Sequence, residues 1–336
     1  MGAFLRSRPP GSTPVQVVTK AAGPAPGMPW LRDGAGAGRL LGADVRRAAE
    51  GSLSRLGVER IDALLLHWPD RGPAVPLWGE RLYDPRLRFG PAPGDPREAA
   101  VARRHPRVDP ASPGALALAD ALEALGRLVD AGKVGCAGVS NETPWGMARC
   151  AELRRADPGR YAAVAVAEQP GSLVCRGWQE GGGAAEAAVE EGIGLLLYGP
   201  LAGGLLGSAD KYRAVRSRGG GDGGGAALRW EASSPDARLA RLRGRYGEGE
   251  ARYAPRPALV AARRAYVRVA SARGMALGEL ALRHALSSPA VAGAVTGAST
   301  PAQLRELAAW AGRGGLDDDA LEACDEVHQR WPSPAP

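Results

Sequence analysis

Six short and almost wholly apolar runs constrain this chain more than any other feature. They cover residues 15–20, 61–67, 134–141, 162–169, 193–198 and 291–296, and each closes on a polar or conformationally special residue. A strand with one wet face alternates apolar and polar residues, whereas near-continuous apolarity suits strands buried on both faces, as in a parallel sheet. Helical patterns fall between the runs. Residues 43–56 place Val45, Ala48, Ala49, Leu53 and Leu56 on one face behind Asp44 as the expected N-cap. Residues 115–131 do the same with Leu116, Ala119, Leu122, Leu125, Leu128 and Val129, and Gly132 follows as the expected C-cap. Further helices are predicted over 144–154, 184–191, 257–272, 301–311 and 317–330.

Strand and helix in alternation imply βαβ units with right-handed crossovers, which leaves two architectures. A doubly wound open sheet needs a glycine-rich turn straight after its first strand and an acidic residue about 20 positions later. Here the first run is followed by Ala21-Ala22-Gly23-Pro24-Ala25-Pro26, which is broken by proline. A (β/α)₈ barrel instead gathers chemistry at the C-terminal ends of its strands, and every run here ends in a chemically useful residue. The predicted fold class is therefore α/β, a TIM-type (β/α)₈ barrel, with about six of its eight βα units visible. Long loops are expected at 70–113 and 203–255, the second holding the glycine run 219–225 as a linker. Long βα loops are where barrel enzymes build substrate pockets.

Charge adds little. The formal balance is +7, and of 43 basic residues only Lys20, Lys133 and Lys211 are lysine. The arginines are scattered, with doublets at Arg46-Arg47, Arg103-Arg104 and Arg263-Arg264 far apart, and this pattern argues against a nucleic-acid partner. Cys136, Cys150, Cys175 and Cys324 form no CxxC and no metal-ligand spacing, which reads as a reduced, intracellular chain without a metal site. No apolar stretch approaches the roughly 18 residues of a membrane span. Residues 1–14 hold no hydrophobic signal segment, so the expected location is cytoplasmic, with an organellar transit peptide left open by composition. Lysine is a compact charge whose protonation responds to burial, which suits it to catalysis, and Lys20 closes the first run.

Three ordered motifs carry a resemblance across nearly the whole chain, from about residue 15 to 331. They are Leu64-Leu65-Leu66-His67-Trp68-Pro69-Asp70-Arg71, Gly132-Lys133-Val134 through Gly138-Val139-Ser140-Asn141-Glu142, and Tyr198-Gly199-Pro200-Leu201-Ala202-Gly203-Gly204. The chain resembles the aldo-keto reductases, and residues 68–85 are similar to their Tas-like subgroup. The resemblance implies an NADP-dependent barrel that passes a hydride between NADPH and a small carbonyl substrate or its alcohol, with no nucleic-acid or membrane partner. Oligomeric state is not read from it.

By the same resemblance Lys20 and His67 are catalytic. The family's proton donor is a tyrosine assisted by the lysine and an aspartate, and both lie upstream of the lysine in an Asp-(x)₄-Tyr pattern. Residues 1–14 resemble instead the tail of a barrel helix, so the first two βα units and both partners are expected to be absent from this sequence. Reduction by the chain is then expected to be impaired, and a non-catalytic nucleotide-binding or regulatory barrel-like protein, or an inactive fragment, is the competing expectation. Ser140 and Asn141 match the pair that binds the nicotinamide carboxamide, and Tyr198 the aromatic that stacks on its ring. Leu201 and Gly203 belong to the turn that meets the pyrophosphate. Ser299, Gln303 and Glu306 resemble the adenosine-phosphate segment, where Thr300 equally suits a helix N-cap with Pro301 behind it. Glu168 stands where the family has a glutamine for the carboxamide. A carboxylate accepts from the amide NH₂ but cannot donate to its oxygen, and a one-residue slip would bring Gln169 there instead. Leu307 replaces an adenine-binding asparagine, and Gly297 replaces the basic residue that often clamps the 2′-phosphate.

Overall fold

A computed structural model describes residues 1–9, 11–23, 40–70, 114–180, 183–208, 212–216, 228–232 and 252–335. Residues 71–113 of the expected loop 70–113 and the glycine run 219–225 lie outside the described residues. The strands are β1 (Val18–Ala21), β2 (Ile61–Leu66), β3 (Val134–Ser140), β4 (Val164–Pro170), β5 (Gly194–Tyr198), β6 (Tyr212–Arg216), β7 (Leu228–Ala232) and β8 (Val291–Val295). The helices are α1 (Gly2–Arg6), α2 (Gly42–Leu56), α3 (Gly114–Asp130), α4 (Pro144–Ala156), α5 (Ala184–Glu190), α6 (Pro257–Ala272), α7 (Leu277–Ala285), α8 (Pro301–Ala311) and α9 (Asp318–Arg330). Six strands follow the hydrogen-bonded order β1-β2-β3-β4-β5-β8, and β6 pairs with β7 in a separate antiparallel ribbon inside the expected loop 203–255. The alternation of parallel strands and helices is the predicted architecture, and among the described residues no strand pairing closes the barrel.

The chain divides into two compact units, Met1–Glu168 with Glu186–Gly194 and Gln169–Ala185 with Leu195–Pro336. In the first, β1, β2 and β3 run parallel with Lys20 opposite Leu65 and Leu65 opposite Gly138, and β4 continues the ladder with Gly138 opposite Val166. Ile61, Leu64, Leu65, Val134, Ala137, Val139 and Ala167 are essentially buried. α2 does not start on Asp44 as expected. Leu41 is its N-cap without a side-chain bond, and the Gly42 N–H donates to Asp120 Oδ2 of α3 at 2.7 Å. A helix start packed against a neighbour borrows that neighbour's carboxylate, which no local pattern reveals. Asp44 occupies the first turn, where its charge suits the helix dipole.

In the second unit β5 pairs with β8, Leu197 lying opposite Ala294. Leu205, Leu206, Leu259, Tyr266, Leu277, Leu280, Cys324 and Val327 form its core with Leu173 and Val174. α7 was not expected from the sequence. It is nine residues long and its N-cap, Ala276, makes no side-chain bond, so it carries no start signal. Arg176 is fully buried here. It donates to the Cys324 carbonyl at 3.1 Å and pairs with Asp325, and its backbone N–H donates to Ser333 Oγ at 3.0 Å. Ala335 N–H donates to the Val174 carbonyl at 3.0 Å, so the tail beyond α9 is pinned to the segment after β4.

Gly138 lets β2, β3 and β4 approach. A Cβ on it would lie 2.8 Å from Leu65 Cγ, 2.8 Å from Val166 Cγ2 and 2.9 Å from the Val166 carbonyl oxygen. The Gly138→Ala chain is expected to lose roughly 1–3 kcal/mol of stability through overpacking, read as a lower urea midpoint with an unchanged slope.

Candidate functional site

Register decides which side chains share a face at the strand ends of the first unit. Lys20, Leu65, Gly138 and Val166 form one cross-strand row. Strand side chains alternate with period two, so the residues two positions on, His67, Ser140 and Glu168, rise on the same face one layer nearer the carboxyl ends. Ser140 lies directly opposite Glu168, and the irregularity in this pairing falls upstream, between Ala137 and Gly138. No slip brings Gln169 to that place.

Across this face Lys20 Nζ lies 2.9 Å from Glu168 Oε1. Three strand spacings separate β1 from β4, about 14 Å on a flat sheet. Side chains stand roughly perpendicular to their sheet, so these two meet only because the face is concave. The pair is sheltered unequally, with 7% of the Glu168 side chain exposed and 25% of that of Lys20. A carboxylate this buried needs a matched charge to remain ionised at low cost.

His67 follows β2 directly, its backbone N–H donating to the Ala21 carbonyl at 2.9 Å. Its ring lies 4.3 Å from that of Trp68, tilted by 41°. Burial first, and the Lys20 charge second, hold its pKa down to about 4. At neutral pH the imidazole is therefore uncharged, a hydrogen-bonding group and not a cation. Asn141 is left-handed, with φ 54°, a conformation asparagine tolerates better than most residues. Its N–H donates to the Glu168 carbonyl at 2.8 Å, and its Nδ2 donates to the His67 carbonyl at 3.0 Å and to Ser140 Oγ at 3.2 Å. Lys20, His67, Ser140, Asn141 and Glu168 are thus brought together in one unit. Ser140 and Asn141 offer a hydroxyl and an amide, a donor-and-acceptor set that fits a carboxamide.

The remaining candidates belong to the second unit. Tyr198 ends β5 and shares a side-chain hydrogen bond with Arg252. After it comes a tight turn in which Gly199, Ala202, Gly203 and Gly204 all have positive φ. Glycine is needed where so many left-handed residues crowd together. The turn consumes most of its own amides: Ala202 N–H donates to Gly199, Gly204 and Leu206 to Leu201, Leu205 to Ala202, and Gly207 to Gly204. Thr300 is the N-cap of α8, as the sequence allowed, accepting from Gln303 N–H at 3.2 Å, with Pro301 in the first turn. The Gln303 side chain answers by accepting from Ser299 N–H at 2.8 Å, so its oxygen serves the cap. Glu306 is exposed, while Leu307 packs with Leu282 and Trp310.

Sequence reasoning missed three contacts: Glu168 to Lys20, Trp68 against His67, and Arg252 on Tyr198. Trp68 lay in plain view within the Leu-His-Trp-Pro run, but the other two join residues more than fifty positions apart without a pattern. Among the described residues no group of three or more His, Cys, Asp and Glu side chains could hold a metal ion. Among them, too, no helix is long and apolar enough to cross a membrane.

The model of the aldo/keto reductase family matches residues 1–329. An aldo-keto reductase of Babesia bovis is 31% identical over 322 residues, covering 95% of this chain and 98% of the relative. Protein tas of Escherichia coli (strain K12) is 28% identical over 293 residues, covering 87% of this chain and 69% of the relative. The glycerol dehydrogenase of Gluconobacter oxydans superposes with a TM-score of 0.51 at 21% identity, a likeness of fold. That superposition covers 88% of this chain, which spans 66% of the neighbour's length.

The position of His67 makes a pH prediction. Its folded pKa of about 4 lies below the ordinary 6.5, so the unfolded chain binds the proton first. The stability contributed is fully present above about pH 6.5 and is lost as pH falls toward 4, with a limiting slope of about 1.4 kcal/mol for each step in pH. Lys20→Met removes the smaller of the two causes. It is expected to raise the His67 pKa while leaving it below 6.5, as followed by NMR titration of the imidazole.

Proposed function

The chain belongs to the aldo/keto reductase family, and from that premise we propose that it reduces small aldehydes or ketones to alcohols with NADPH. The observation that carries this reading is the shared face of Lys20, His67, Ser140 and Glu168 at the carboxyl ends of parallel strands, where barrel enzymes do their chemistry. The cofactor, when bound, supplies the hydride. Ser140 and Asn141 are to hold its carboxamide and Tyr198 the face of its ring. Leu201, Gly203, Ser299, Gln303 and Glu306 are proposed for its phosphate and adenosine portions.

Hydride addition develops negative charge on the carbonyl oxygen, which the protein must stabilise until a proton from solvent completes the alcohol. His67 is suited to donate a hydrogen bond from a neutral ring, because burial and the Lys20 charge keep it unprotonated at neutral pH. Lys20 supplies positive charge on the same face. In this reading Lys20 is a catalytic residue and His67 orients the carbonyl.

The test uses the purified chain. NADPH binding is followed by fluorescence and turnover by loss of NADPH absorbance with para-nitrobenzaldehyde. Binding is expected, with turnover slowed by about the 10²–10⁴-fold that a general acid supplies, since the tyrosine donor is expected to be absent, and with Lys20→Met lowering kcat further at nearly unchanged NADPH affinity. A chain that binds NADPH tightly yet never reduces any of a panel of aldehydes and ketones would be a nucleotide-binding protein instead.

A further inference from the structure

We propose that Glu168 is the positioning carboxylate of Lys20, and that it acts through this lysine instead of on the carboxamide of the cofactor. The inference rests on the reductase reading for its consequence, although the pairing itself does not.

Three observations support it. The Glu168 carboxylate reaches the Lys20 ammonium at 2.9 Å across two intervening strands, a contact that alternation and register impose from both sides. Glu168 is the more deeply buried partner, so its charge is tolerated only beside a cation. Its chemistry also fits a lysine better than a carboxamide. An ionised carboxylate only accepts hydrogen bonds, and Oε1 is already turned toward three ammonium donors. The Glu168 carbonyl accepts from the Asn141 N–H, so the same residue fixes the backbone of the strand end beside it. Held in this way, the lysine keeps its ammonium over the face that also carries His67. Without the carboxylate, a flexible four-carbon stem would carry the charge toward solvent.

The experiment combines two measurements on Glu168→Gln, Glu168→Asp, Lys20→Met and the Lys20→Met/Glu168→Gln double variant. The first needs no turnover. With only three lysines in the chain, brief treatment with an amine-reactive ester followed by mass spectrometry gives the labelling of Lys20 relative to Lys133, which is half exposed. Release of Lys20 in Glu168→Gln is expected to raise this ratio several-fold, with Glu168→Asp in between. An unchanged ratio overturns the pairing.

The second measurement is the kinetic cycle with NADPH and para-nitrobenzaldehyde. A positioning role predicts that Glu168→Gln lowers kcat about tenfold or more and displaces the pH profile of kcat. It also predicts that the double variant is no slower than Lys20→Met alone. A raised KM for NADPH at unchanged kcat, multiplying with the Lys20→Met loss, would return Glu168 to the carboxamide and overturn the inference. Failure of the unsubstituted chain to reduce any carbonyl defeats the reductase reading, and the labelling ratio then still decides whether Glu168 holds Lys20.

Discussion

Burial of a parallel strand on both faces leaves its carboxyl end as the place where a charged side chain can meet another charge or solvent. In the first unit β2 and β3 are filled by Ile61, Leu64, Leu65, Val134, Ala137 and Val139, none of which can hold a polar partner. The polar residues His67, Ser140, Asn141 and Glu168 arrive only as the strands finish. Because the strands share a register, their ends form a common rim. Because the face is concave, Lys20 on the first strand can reach a carboxylate on the fourth. Gly138 is the least conspicuous contributor, since any side chain there would hold apart the strands whose approach makes this reach possible.

The electrostatics of the rim follow from that geometry. Glu168 compensates Lys20, and the lysine's charge reinforces the burial that keeps His67 neutral. The second unit handles buried charge differently. Arg176 lies deeper than Lys20, spreads its guanidinium over a carboxylate and a carbonyl, and ties together segments with no chemistry to perform. Delocalised charge with several fixed donors suits such a structural joint, while a single mobile ammonium suits a working face.

The legible part of the fold was its periodicity. Apolar runs located the strands that became β2 to β5 to within a few residues, and the amphipathic patterns located α2, α3 and α6. Boundaries were weaker where the controlling contact is distant. The first run opens at residue 15, but pairing starts at Val18, with Val15 and Val18 both substantially exposed. Asp44 has the local pattern of a cap, yet Asp120 of another helix does the capping. The site followed the same division. Lys20, His67, Ser140 and Asn141 were marked by strand ends and motifs and do come together. The partner of Lys20 was hidden, because finding Glu168 requires both the register and the curvature of four strands.

The joint around Arg176 also orders events in time. Its backbone bond to Ser333 closes a separation of 157 residues, and Ala335 returns to Val174 over a similar span. Contacts of that range meet a large loop-closure cost and form late unless other structure has already shortened the loop. During synthesis the segment after β4 emerges long before the residues that will fasten it. Until those arrive, the hydrophobic surface of Leu173 and Val174 is left without its final cover, an interval in which chaperone capture or aggregation competes with folding.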